Sequence, residues 1–166
     1  MPRYAALLRA VNVGGTGKLL MGDLTRLCHE AGFTDVRTYL ASGNVVFDSE
    51  RDADHCVVML QDRLSAVLGR EQGLVIRSQA ELSDLLAANP FADKPGAQMQ
   101  ILFTDLAPTI DMLDGAKGRQ SEQMALGYRA VYLFYPDGIG RSRLTLPALA
   151  QGTARNLKTV SALAKL

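Results

Sequence analysis

The residues best suited to chemistry gather in one short run. Asn12, Gly14, Gly15 and Lys18 follow an apolar stretch and precede an amphipathic one. An apolar strand that breaks into Gly-Gly and a lysine before a helix puts free backbone N–H groups, a positive helix end and an ammonium in one place. That combination suits a phosphate or a carboxylate. Ser42, Gly43 and Asn44 form a second cluster, between two short apolar runs. They add a hydroxyl, an amide and further backbone donors. The same residue types also make tight turns, because Gly and Asn tolerate positive φ. Both readings, ligand site and plain turn, follow from the residues. The run is not a Walker A loop: the first glycine of that pattern falls on Asn12, and the Ser or Thr after its lysine falls on Leu19.

Two arginines are candidates to add charge. Arg9 ends the first apolar run. Arg155, followed by Asn156, is read as lying in the first turn of the last helix, where a cation opposes the helix dipole. A residue placed against local preference points either to fork-like recognition of an anion or to an ion pair tying the helix down. Gly138-Ile-Gly-Arg-Ser142 is a second turn combining Gly and Arg that reads as opening a helix.

Other chemistries find less support. Ser42 sits in Ala-Ser-Gly-Asn rather than Gly-x-Ser-x-Gly, and the only histidines, His29 and His55, both fall on helices. Cys28-His29 and His55-Cys56 are adjacent pairs, which point in different directions on a helix, so no metal site is expected. Whether a cofactor is used does not follow from the residues. An RNA-recognition domain carries stacking aromatics on its third strand, where this chain has Asn44 and Val46.

The elements that must position these residues follow from periodicity. Residues 3–11 form an apolar strand, and 21–31 a helix with Leu24, Leu27, Cys28 and Ala31 on one stripe, ended by Gly32. Residues 36–40 and 45–47 are strands around the Ser42–Asn44 turn. A helix over 52–68 carries Val57, Leu60, Leu64, Val67 and Leu68, ends at Gly69, and leads into a strand over 74–77. That order, β-α-β-β-α-β, is the split βαβ or ferredoxin-like pattern. Right-handed crossovers then put the first and third strands in the centre and both helices on one face. In such a unit the loop after the first strand and the turn between the second and third strands share one sheet end. Lys18 and Asn44 are therefore expected around a shared concavity.

The second half opens with Ser78-Gln-Ala-Glu81, a capping box ahead of Leu82, Leu85 and Leu86. Strands are expected over 99–103, 124–126 and 130–135, and a short helix opened by Pro108. A further helix over 144–150 is disturbed by Pro147, and the last helix starts at 153 or 154. The fold class expected is α+β: a ferredoxin-like unit over 1–78, and a second, degraded one over 79–166 with a C-terminal helix.

Bulk properties narrow the classes further. A chain of 166 residues buries enough surface to fold without a disulfide or metal staple. Eighteen basic residues against seventeen acidic ones argue against a dedicated duplex-DNA binder. No apolar run is long enough to span a bilayer, and no export signal is read at the start, so a cytoplasmic protein with reduced Cys28 and Cys56 is expected.

Three segments carry a family resemblance: Leu8-Arg-Ala-Val-Asn-Val-Gly-Gly15, Arg37-Thr-Tyr-Leu-Ala-Ser-Gly-Asn-Val-Val-Phe47 and Thr153-Ala-Arg-Asn156. With Asn89-Pro-Phe91 and Pro136-Asp-Gly-Ile-Gly-Arg-Ser142, they resemble a bacterial family known as domain of unknown function 1697. The resemblance implies two α/β-plait parts and carries over no reaction, cofactor or catalytic residue. The chain departs from the family's Thr-Thr-Arg-Asn-Trp at Ala154 and Leu157, and the stretch 144–152 is shortened.

The residues thus favour a small anionic ligand at the end of the first sheet. Two alternatives stand beside it: a non-enzymatic interaction module or homodimer, and an enzyme using Ser42, Asn44 or Arg155.

Overall fold

The computed structural model describes residues 1–9, 19–39 and 43–166. The first sheet contains β1 (Arg3–Leu8), β2 (Thr34–Tyr39), β3 (Asn44–Asp48) and β4 (Leu74–Ser78), in the order β2-β3-β1-β4 with every adjacent pair antiparallel. Helices α1 (Met21–Glu30) and α2 (Ala53–Leu68) complete the ferredoxin-like pattern. Tyr4, Ala6 and Leu8 of β1 join Val45 and Phe47 of β3 and Leu74 and Ile76 of β4 in one core with both helices. These positions alternate along each strand, as one buried face requires. The rings of Phe33 and Phe47 stack within that core at 4.0 Å.

The helix boundaries have local causes. Leu24, Leu27 and Cys28 of α1 and its C-cap Ala31 are all buried, and Gly32 turns the chain at φ 87. Asp52 caps α2 by accepting from the His55 N–H at 2.9 Å. Gly69 ends α2 in the left-handed region at φ 67. The buried stripe of α2 is Cys56, Leu60 and Leu64. Val67, expected on that stripe, is 50% exposed. The i, i+4 row that begins at Cys56 continues to Leu68, which packs partly buried against the core, so Val67 falls beside the row rather than on it.

The chain divides into two compact units, Met1–Leu82 with Leu163–Leu166, and Ser83–Ala162. Helix α3 (Gln79–Ala87) starts with the expected capping box. Glu81 N–H donates to Ser78 Oγ at 3.1 Å, and Ser78 N–H donates back to Glu81 Oε1 at 3.4 Å.

The second sheet contains β5 (Met99–Phe103), β6 (Gln123–Gly127), β7 (Ala130–Phe134) and β8 (Thr153–Asn156), ordered β6-β7-β5-β8 and antiparallel throughout. With β5 in the role of β1, this repeats the first sheet strand for strand. The unit is α+β and ferredoxin-like like the first, with α4 (Ile110–Asp114) after its first strand and α5 (Leu157–Leu163) after its last. Thr109, not Pro108, stands at the head of α4, its side chain accepting from the Met112 N–H.

Two expected helices are absent from their places. Over 144–150 only a 3-10 turn forms, Pro147–Leu149. Pro147 supplies no N–H, and the residue before it, Leu146, is held at φ −120 and ψ 85, outside the helical region. The Gly138–Ser142 stretch likewise makes a 3-10 turn, Ile139–Arg141. Thr153–Asn156 is a strand, paired with Phe103–Gln100, and α5 begins after it. Pairing along the open edge of β5 outweighs the local helix signal there, because it satisfies a full row of backbone groups.

Candidate functional site

The antiparallel register fixes what meets at the end of the first sheet where β1 finishes. Leu7 lies opposite Asn44, and Leu8 opposite Leu74. Beyond them the Leu8 N–H donates to the Gly43 carbonyl at 2.8 Å, and the Arg9 N–H donates to the Gly73 carbonyl at 2.9 Å. Helix α1 ends near the start of β2, at the opposite end of the sheet, so its N-terminus belongs to the Leu8–Gly43 end. The residue heading α1 is Leu20, which provides no side-chain acceptor for the first-turn N–H groups.

Arg9, Gly43 and Asn44 are therefore brought together. Gly43 adopts φ 80, a conformation open to glycine and costly for most other residues. Asn44 is fully buried, and its Nδ2 donates to the Tyr39 carbonyl at 3.0 Å. Its amide thus closes the β2–β3 hairpin from within, the turn role that asparagine commonly serves. Asn12, Gly14, Gly15, Lys18 and Ser42 lie outside the described residues.

Sequence reasoning missed three residues at this end: Arg70, Gln72 and Gly73, the connection from α2 into β4. Gln72 is 1% exposed, and its Nε2 donates to the carbonyls of Arg9 and Gly73. Arg70 Nη1 donates to Gln72 Oε1 at 3.1 Å. A buried amide thereby ties a guanidinium to the backbone of Arg9, just past the end of β1. The signal was available: once β4 is placed antiparallel to β1, the residues just before β4 must reach the C-terminal end of β1.

Arg155 and Asn156 belong to the second unit, on β8. Arg155 is not in the first turn of a helix, so the dipole argument for it lapses. Its Nη1 donates to Thr153 Oγ1 at 2.7 Å and to the Ala154 carbonyl at 2.9 Å. Burial lowers its pKa to about 10, because desolvation disfavours the charged form. Asn156 Oδ1 accepts from the Thr159 N–H at 2.8 Å, which makes it the cap of α5.

Elsewhere, His55 Nδ1 lies 2.8 Å from Asp52 Oδ1. The two bonds from His55, led by its backbone N–H, hold the Asp52 carboxyl below its ordinary range. The Cys28 thiol is pushed up to about 12 by burial, which suits a packing residue rather than a nucleophile. Among the described residues, no group of three or more His, Cys, Asp or Glu side chains is arranged to hold a metal ion. Among them, too, no helix is long and apolar enough to cross a membrane.

Fold and site together define an α+β protein of two ferredoxin-like units, with turns and cations gathered at one end of its first sheet. The chain belongs to the family of proteins of unknown function DUF1697, whose model matches residues 1–132. Its fold is also that of a conserved bacterial protein from Streptococcus pneumoniae. The two structures agree with a TM-score of 0.83 at 22% sequence identity, over 99% of this chain and 97% of that one. At that identity the likeness speaks for the fold. No functionally curated protein matches the chain.

Proposed function

We propose that the protein binds a small anionic ligand, bearing a phosphate or a carboxylate, at the end of the first sheet where β1 meets the β2–β3 turn. The observation that carries this reading is the convergence of Arg9, Gly43 and the Arg70–Gln72 pair around the Leu8 end of β1. The α1 N-terminus, headed by Leu20, supports it, since a helix start without a side-chain cap favours an anion. Lys18 of the Gly-rich run adds its ammonium to this reading. Cys28 and Cys56 are free and buried, in keeping with a cytoplasmic protein.

A thermal-shift screen with inorganic phosphate, nucleotides, sugar phosphates and acetate tests the reading. A ligand present at a hundred times its Kd stabilises the folded state by about 2.7 kcal/mol. The gain should fall in Lys18→Ala and in Arg70→Ala, and it should shrink as salt screens the charges. A screen with no stabilising anion, or a Lys18→Ala/Arg70→Ala double variant that responds like wild type, would overturn it.

A further inference from the structure

The motif Pro136–Ser142 takes no part in that site, yet it borders a polar recess of about 240 Å³ in the second unit. Charges of both signs line this recess: the carboxylates of Glu122 and Asp137, and the guanidinium of Arg141. Opposite charges sharing a recess ordinarily collapse into a pair. Here, among the described residues, no ion pair joins Arg141 to either carboxylate.

The bonds around the recess show how its two carboxylates are engaged. Glu122 is buried, and both its oxygens are used: Oε2 accepts from the Gln120 N–H, and Oε1 accepts from Ser142 Oγ at 2.9 Å. Ser142 Oγ in turn accepts from the Leu144 N–H at 3.1 Å. Glu122 therefore serves as a fixed tie between the 120–122 segment and the 139–142 turn. Asp137 accepts from Ser121 Oγ through Oδ2, and its Oδ1 has no partner among the described residues. Tyr135, whose hydroxyl donates to Gln100 Oε1 at 3.2 Å, closes the apolar side. One oxygen of the carboxylate that Ser121 holds, and one guanidinium, thus remain for a visitor.

From this arrangement we infer that the recess binds a small zwitterion of the α-amino-acid type, its ammonium on Asp137 and its carboxylate on Arg141. A guanidinium matches a carboxylate bidentately, and charge-assisted hydrogen bonds at both ends give such a ligand an advantage over either half alone. A recess of about 240 Å³ suits a small amino acid.

The test uses the full ¹⁵N-labelled chain titrated with L-serine, acetate and methylammonium, followed through the amide signals of Gly138, Arg141 and Ser142. L-Serine should shift these signals saturably, with acetate and methylammonium binding at least about tenfold more weakly, the order expected for losing one charge-assisted hydrogen bond. Arg141→Gln and Asp137→Asn, both exposed positions, should each weaken L-serine by a similar factor while leaving the rest of the spectrum in place. Lys18→Ala and Arg70→Ala should leave it unchanged, which separates this recess from the anion site of the first sheet. Three results would overturn the inference: no saturable shift with L-serine, acetate binding as tightly as L-serine, or both variants titrating like wild type.

Discussion

The side-chain amide of Asn44 reaches back to the Tyr39 carbonyl, 3.0 Å away, from a position with no solvent exposure. One residue therefore both begins β3 and closes the turn that precedes it. The hairpin at the proposed anion site is held by a bond in the protein interior.

Asn44→Ala should consequently destabilise the fold, by about 1–3 kcal/mol, the cost of leaving a buried polar group without its partner. Urea denaturation checks it: the midpoint should fall with little change in slope. A midpoint equal to wild type would show that the amide contributes nothing to the hairpin.

Leu60 and Val67 separate the real stripe of α2 from the expected one. Leu60 is fully buried and Val67 is 50% exposed. Leu60→Ala should cost about 2–5 kcal/mol, through lost burial and a residual cavity. Val67→Ala should stay within about 0.5 kcal/mol of wild type, as exposed substitutions usually do. Equal effects in chemical denaturation would misplace the helix on its sheet.

Gly69 and Gly118 both lie at positive φ, 67 and 70. A Cβ on Gly69 meets nothing within 4 Å, whereas one on Gly118 would overlap the Arg143 carbonyl. Gly69→Ala should therefore cost only the left-handed conformation, about 1–2 kcal/mol. Gly118→Ala must in addition push apart the Lys117–Thr145 bridge beside it, so its melting temperature should drop further than that of Gly69→Ala.

Glu122 makes stability depend on acid. The Gln120 N–H, foremost among its hydrogen bonds, holds its carboxyl below the ordinary value of 4.5. The unfolded chain therefore binds this proton more readily than the folded one. The stabilisation is complete above about pH 4.5 and is lost as pH falls through the lower, folded value. In melting curves against pH, the gap between wild type and Glu122→Gln should be widest near neutrality and close on acidification. A gap that stays constant down to acid would show that the Glu122 charge does not tie the two turns.

What the sequence determined by itself is whatever depends on near neighbours in the chain. The i, i+3, i+4 stripe of Leu24, Leu27 and Cys28 was legible because a helix brings those residues together. So was the Ser78–Glu81 capping box, whose two partners are three residues apart. The order of the first sheet followed as well, since alternating helices and strands leave few ways to close it. What only the tertiary structure decided depends on partners far along the chain. Thr153–Asn156 reads locally as a helix start and becomes a strand because β5, fifty residues earlier, has an open edge. Arg70 enters the candidate site only through Gln72 and its bond to the Arg9 carbonyl, 63 positions apart. Glu122 meets Ser142 across 20 positions. Asn44 carried the right residue type for a ligand or for a turn, and composition weighs those alike. Its burial against Tyr39 gives the amide a structural partner, because a buried donor must find its acceptor within the fold.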